Sequence, residues 1–262
     1  MMHRISFSYL RGNMELPNSY WDKLASRYPR YTDESIQSDA RFIFGVAEDF
    51  GVDFEGKNIL DIGCGTGTLA IPLASRASKI TALDLSKPML DIFEYDKETL
   101  NLEDKIDIFH TSWDDFIIKD KYDISLASMT PAVSSQEQIS KFINSTLTYG
   151  IFVGWGDFKN NDIIDELLKK HNTLKNKTFG QTQRFTDYLK AVNIKHDVKY
   201  FQTSWSDSYI FEDALDYAIS HLERFGVEPD VKVVENILLA KIKDNKIKFT
   251  TNAQKGVVVF KI

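Results

Sequence analysis

The sequence predicts an α/β fold built on a doubly wound parallel sheet with helices on both faces, and three observations predict it. Short apolar runs of strand length recur at 58–62, 79–84, 106–110, 122–128 and 151–155. Helical patterns separate several of them, so strand and helix alternate from 58 to about 155, the signature of right-handed βαβ units. A glycine-rich turn follows the first run directly.

The elements follow in order. Residues 35–50 place Ile36, Ala40, Ile43, Ala47 and Phe50 at helical spacing. The run Asn58–Ile62 is a buried strand feeding a turn, 68–75 is helical, and Lys79–Asp84 is the second strand. Ser86 caps a helix that carries Pro88 in its first turn, where a missing N–H costs nothing. Strands three and four are Ile106–His110 and Tyr122–Ser128. Ser134 with Glu137 predicts a capping box for a helix bearing Ile139, Phe142, Ile143 and Leu147, ahead of strand five at 151–155. After 160 the rhythm changes. Helical patterns at 161–173, 184–193, 211–225 and 230–242 surround one strand at 196–205. The chain then reads as two strands, 246–251 and 257–262, joined by a turn at 252–256.

The expected organisation is one domain over 35–262 with a helical insertion at about 160–245, forming a cover over the carboxyl edge of the sheet and selecting the substrate. Residues 1–34 are an N-terminal extension, of which 1–13 precede an alternative start at Met14. Its aromatic residues Tyr20, Trp21, Tyr28 and Tyr31 either pack over the sheet edge or form a lid.

Composition narrows the function. With 43% hydrophobic and 27% charged residues the chain is globular. No apolar run approaches the roughly 18 residues that span a bilayer, and no secretory signal is present, so no membrane is expected. The single cysteine, Cys64, fits a reducing cytoplasm. Five histidines without zinc spacing predict no metal site. The net charge of −6, with acids interleaved through the lysine-rich 165–200, disfavours nucleic acid as a partner and favours a small-molecule acceptor.

The chemistry concentrates in Asp61-Ile62-Gly63-Cys64-Gly65-Thr66-Gly67. Its glycines let the chain turn sharply and let a ligand approach the backbone. A dinucleotide loop would place its third glycine at position 68, where Thr68 stands. Asp61 would repel a pyrophosphate but attracts the ammonium and sulfonium of S-adenosylmethionine. Asp84, ending strand two, is placed to accept from ribose hydroxyls. After strand three, Thr111-Ser112-Trp113-Asp114-Asp115-Phe116 offers a polar residue and an aromatic for the amino group and face of an adenine. Trp113 reads equally well as adenine wall or as core. Cys64, without a histidine or second cysteine in the motif, is a loop filler rather than a nucleophile.

At these residues the chain resembles the class I S-adenosylmethionine-dependent methyltransferases. Asp61 to Gly67 match their first motif, and Leu83-Asp84-Leu85-Ser86 match the acidic end of their second strand. Ser112-Trp113-Asp114 falls where many members hold the adenine amino group with an acid; Ser112 takes the usual acid position with Asp114 nearby. The stretch 122–131 resembles their fourth-strand motif. The resemblance covers roughly 20–160 plus the closing strand. It implies a three-layer, seven-stranded sheet, mostly parallel with an antiparallel closing strand, and S-adenosyl-L-methionine as cofactor. The cofactor-binding residues expected are Asp61, Gly63, Cys64, Gly65, Gly67, Asp84, Leu85, Ser112, Trp113 and Ser128.

Ser128-Met129-Thr130 and Trp155 with Asp157 follow strands four and five and are expected to line the pocket. No catalytic residue is assigned, because alignment does most of the work in methyl transfer and a base is needed only for a protonated acceptor. Asp157 and His110 are unranked candidates for that base. Ser128-Met129-Thr130-Pro131 stands where amino-methylating nucleic-acid enzymes carry Asn/Asp-Pro-Pro-aromatic. Two other readings share this sheet type: an NAD(P)-dependent oxidoreductase, disfavoured by Asp61 and Gly67, and a non-catalytic S-adenosylmethionine-binding protein.

Overall fold

Continuous apolar sequence becomes strand wherever both faces of a sheet are covered. In β1 (Asn58–Ile62) four successive residues, Ile59 to Ile62, are buried. The structure, a computed structural model, describes residues 18–173 and 180–262. Met14, residues 1–13 and the Tyr20 side chain lie outside what is described.

Parallel pairing runs outward from β1. It pairs β2 (Lys79–Asp84) with Ile59 opposite Ile80, and β4 (Tyr122–Ser128) with Ile59 opposite Ile124. β2 pairs β3 (Ile106–His110), and β4 pairs β5 (Thr146–Asn161). With β6 (His196–Tyr209) and β7 (Ile247–Lys261) the order is β3-β2-β1-β4-β5-β7-β6. The sheet has seven strands, mostly parallel with one antiparallel closing strand, and helices flank it. The chain winds one way from β1 to β3 and the other way from β4 to β5. A switch point therefore lies between β1 and β4, and ligands of open α/β sheets bind outside the carboxyl ends of strands at such a point.

The helices are α1 (Asn18–Leu24), followed by a 3-10 turn (Ala25–Arg27), then α2 (Glu34–Asp49), α3 (Ala70–Leu73), α4 (Lys87–Thr99) and α5 (Gln136–Ser145). Beyond β5 come α6 (Asp162–Lys170), α7 (Gln181–Ala191), α8 (Phe211–Arg224) and α9 (Val231–Leu239). Among the described residues no helix is long and apolar enough to cross a membrane.

Four elements differ from expectation. The capping box is one residue on: Ser135 accepts from the Gln138 N–H at 3.1 Å, and the Gln138 side chain answers to the Ser135 N–H. Gln138 is the better partner because its Oε1 also accepts from the Ser134 backbone and hydroxyl. The helix after the glycine loop is only Ala70–Leu73. β5 continues to Asn161, so Trp155 and Asp157 lie within the strand rather than beyond its end. The chain's last 15 strand residues form one strand with no turn at 252–256. There Ala253 and Gly256 are buried, and Gln254 accepts from the Asp157 N–H at 3.0 Å, so sheet pairing overrides the turn preference of Asn252 and Gly256.

The chain divides into two compact units. The first comprises the residues through Gly154 with Gln181–Lys199 and Val257–Ile262. Its core joins Leu60, Ile62 and Leu83 to Phe142, Phe152, Phe185 and Phe260. Phe185 stacks on Phe152 with centroids 4.2 Å apart. α7 thus belongs to this unit, and 160–245 is not one continuous insertion. The second unit, Trp155–Gly180 and Tyr200–Gly256, has its own core, in which Ile163 and Leu167 of α6 meet Ala218 and Leu222 of α8 and Leu238 of α9.

Candidate cofactor site

The loop after β1 has its shape because three glycines take the left-handed conformation: Gly63 at φ 69°, Gly65 at 54° and Gly67 at 77°. A Cβ at Gly63 would run into the side chain of Thr130, and one at Gly67 into the ring of Phe93 on α4. Glycine is required there by both conformation and space.

The loop is pinned to the end of β2. The N–H groups of Gly63 and Cys64 both donate to the Leu83 carbonyl, at 2.8 and 3.0 Å, and Gly67 N–H donates to the Cys64 carbonyl at 2.9 Å. Asp84 Oδ2 accepts from Gly65 N–H at 2.9 Å and its Oδ1 from Ser86 N–H at 2.8 Å. The carboxylate's remaining lone-pair capacity can accept from a ligand hydroxyl. Burial raises the pKa of Asp84, while the N–H groups of Ser86, Gly65 and Leu85 and the charge of His110 oppose the rise.

Asp61 is treated differently. It is 3% exposed, and no donor among the described residues reaches its carboxylate. Burial and, second, the charge of Asp84 push its pKa up to about 7. A buried acid ordinarily has a partner, so this carboxylate is set to receive one that the described residues do not supply.

The other expected residues sort clearly. Cys64 is buried; desolvation, then Asp61 and Asp84, push its thiol pKa well up, leaving it unreactive. Leu85 is 43% exposed, an apolar surface just past Asp84. Ser112 closes a turn, donating to Asp115 Oδ2 at 2.6 Å and accepting from Asp115 N–H at 3.0 Å. Trp113 as an adenine wall is corrected: its ring is 2% exposed within the core, stacked on Phe116, with Nε1 donating to the Gln138 carbonyl at 3.2 Å. Lys141 holds this turn by donating to the carbonyls of Trp113, Asp114 and Phe116. Asp114 is engaged by the Gln138 amide at 3.1 Å. Ser128 ends β4, Met129 follows at φ 53°, and Thr130 turns back against Gly63. His110 bonds through Nε2 to the Leu85 carbonyl at 3.0 Å.

Two contributions escape a reading of the motif alone. The Thr66 hydroxyl donates to the Pro29 carbonyl at 2.8 Å, and the Ser86 hydroxyl to Asp22 Oδ1 at 2.6 Å. The only signal for either in the sequence is the aromatic segment ahead of strand one, which says nothing of what it touches.

A protein-family profile described as a methyltransferase domain matches residues 59–148. An uncharacterised protein of Haemophilus influenzae is 39% identical over 125 residues, 47% of this chain and 45% of that protein. A ubiquinone biosynthesis O-methyltransferase of Chromobacterium violaceum is 33% identical over 78 residues, 30% of this chain and 31% of that one. The chain therefore spans less than half the length of either relative. Among solved structures, precorrin 8W decarboxylase of Methanobacterium thermoautotrophicum superposes with a TM-score of 0.50 at 11% identity, covering 86% of this chain and 90% of that one. That likeness speaks for the fold alone.

Proposed function

We propose that this chain, whose residues 59–148 belong to the class I S-adenosylmethionine-dependent methyltransferase family, binds S-adenosyl-L-methionine on its glycine loop and transfers the methyl group to a small-molecule acceptor. One observation carries the reading: Asp61, a buried carboxylate that no donor among the described residues reaches, sits at the carboxyl end of β1 beside Asp84. A dinucleotide's phosphates would be repelled by Asp61, whereas a cationic group there is attracted to it.

The residues present fit this cofactor. Asp61 faces its cationic end, and Asp84 accepts from the ribose hydroxyls with the lone pairs left by Gly65 and Ser86. Leu85 offers apolar surface to the adenine and the Ser112 turn offers polar groups. S-adenosylmethionine brings a methyl already activated on sulfur, so the chain's task is to hold the acceptor in line and exclude water. Ser128 and Thr130, at the end of β4, are the pocket residues for that side. The acceptor class rests on the acidic charge balance and on a relative named for ubiquinone biosynthesis.

S-adenosylhomocysteine should raise the melting temperature of the full chain, and NAD should not. Asp84→Ala should weaken S-adenosylhomocysteine binding at least tenfold by calorimetry, from the loss of charge-assisted hydrogen bonds worth about 1.5–3 kcal/mol each. A shift with NAD and none with S-adenosylhomocysteine would overturn the cofactor. Release of S-adenosylhomocysteine over pooled metabolites, tRNA and extract protein identifies the acceptor class; turnover on tRNA or protein alone would overturn the small-molecule reading.

A further inference from the structure

Residues 21–33 precede every element of the family's core motif, yet their contacts converge on the cofactor loop. Three tethers hold them. Pro29 takes the Thr66 hydroxyl through its carbonyl at 2.8 Å, inside the glycine motif itself. Asp22 takes the hydroxyl of Ser86, the residue that caps α4 and follows Asp84 by two, at 2.6 Å. Arg30 forms an ion pair with Asp96 of α4, its Nε lying 3.0 Å from Oδ2. The Arg30 guanidinium also lies over the ring of Tyr95, 5.8 Å from its centroid. Asp96 is 2% exposed, and a carboxylate that deep is costly without its cation. Between the tethers, Tyr28 points at the loop: a Cβ built on Gly65 would sit 3.7 Å from Tyr28 Cε1. Trp21 backs the Tyr28 ring edge-on at 6.4 Å. A turn in which Arg30 N–H donates to Asp33 Oδ2 at 2.8 Å closes the segment before α2.

We propose that residues 21–33 form a strap that completes the cofactor site, with Tyr28 as a positioning residue over Gly65 and the Arg30–Asp96 pair as the latch that sets how fast cofactor and product exchange. The proposal rests on the cofactor reading above. Two of the three tethers end on residues that shape the ligand loop or the first turn of α4, so the strap and the ligand share one set of supports. The third ends on α4 rather than on the glycine loop and is buried at its acidic end, which suits it to govern opening without touching the ligand. Removing the latch changes the rates of entry and exit together and leaves the closed complex, and so the equilibrium affinity, nearly unchanged.

The test uses the full chain, wild type and four variants: Arg30→Ala, Arg30→Lys, Tyr28→Ala, and the double variant Arg30→Ala/Asp96→Asn, which leaves no stray buried charge and guards against misfolding. Amide exchange of the ligand-free protein reads the strap without any cofactor. In Arg30→Ala and in the double variant, residues 21–33 should exchange at least tenfold faster while β1 and β4 keep wild-type protection. S-adenosylhomocysteine should dissociate at least tenfold faster from both, with Kd within about threefold, and Arg30→Lys should restore most of the wild-type rate. Tyr28→Ala should raise Kd while leaving strap exchange at the wild-type level. Unchanged strap exchange in the double variant, or unchanged dissociation despite faster exchange, overturns the latch. Wild-type strap behaviour in a protein that binds no S-adenosylhomocysteine overturns the cofactor reading instead, and the ligand-free exchange data tell the two failures apart.

Discussion

A carboxyl group that is almost wholly buried and meets no donor among the described residues resists ionising, and Asp61 resists further because Asp84 is beside it. Its pKa rises from the ordinary 3.8 to about 7. The sign follows directly. A raised acid pKa favours the unliganded fold in acid, fully below the unfolded value, and that contribution is lost as pH rises through about 7. Binding a cation runs the opposite way, since it needs the ionised form. Affinity for S-adenosylhomocysteine, measured by calorimetry from pH 5.5 to 8, should therefore fall about tenfold per unit below pH 7 and level off above it. Asp61→Asn should bind more weakly and show no such slope; a wild-type profile flat across this range would remove Asp61 from the ligand's charged end. Sequence shows that an acid precedes the glycines, and charge alone then selects the ligand class. It cannot show that no described residue partners the acid, which depends on where every other donor lies. Trp113 illustrates the same limit: a tryptophan after a strand has one sequence whether its ring meets a ligand or, as here, Phe116 and the Gln138 carbonyl.

Elements were legible where local chemistry and long-range packing agree. Ser86 with Pro88 fixes the start of α4, and the structure keeps that cap, Met89 N–H reaching Ser86 Oγ at 3.5 Å. The glycine loop was legible for the same reason, since its turn demands residues that only glycine satisfies. Legibility failed where neighbours outvoted local preference: Asn252 and Gly256 read as a turn, yet β7 passes straight through them. The loop's demand is measurable. Gly67→Ala combines a left-handed backbone, worth roughly 1–2 kcal/mol against a side chain, with a clash into Phe93 of the kind that costs about 1–3 kcal/mol. Urea unfolding should show a loss of about 2–5 kcal/mol. Gly65→Ala shares the conformation but would meet Tyr28 only at an ordinary contact distance of 3.7 Å, so only about 1–2 kcal/mol should go. Equal losses at the two positions would mean that strain alone, and not the seat of Phe93 against the loop, fixes Gly67.

At the scale of the whole molecule, the residues assigned to the cofactor all fall within one of the chain's two compact units. Every residue assigned to the cofactor, from Asp61 to Ser128, lies in the first unit, and α7 completes that unit's core through Phe185 and Leu189. The second unit supplies none of them and closes a core of its own around Leu167, Leu222 and Leu238. The changed strand–helix rhythm after 160 announced additional structure, but not that α7 would return to the first core. An amphipathic helix shows that it buries a face without saying against what. Leu222 is fully buried in the second unit, and Leu222→Ala should cost that unit about 2–5 kcal/mol through lost contacts and a cavity. Amide exchange should then rise across α6, α8 and α9 while β1, β2 and β4 keep their protection. Under the same conditions S-adenosylhomocysteine should bind within about twofold of wild type. A parallel loss of cofactor affinity would mean that the two cores stand or fall together.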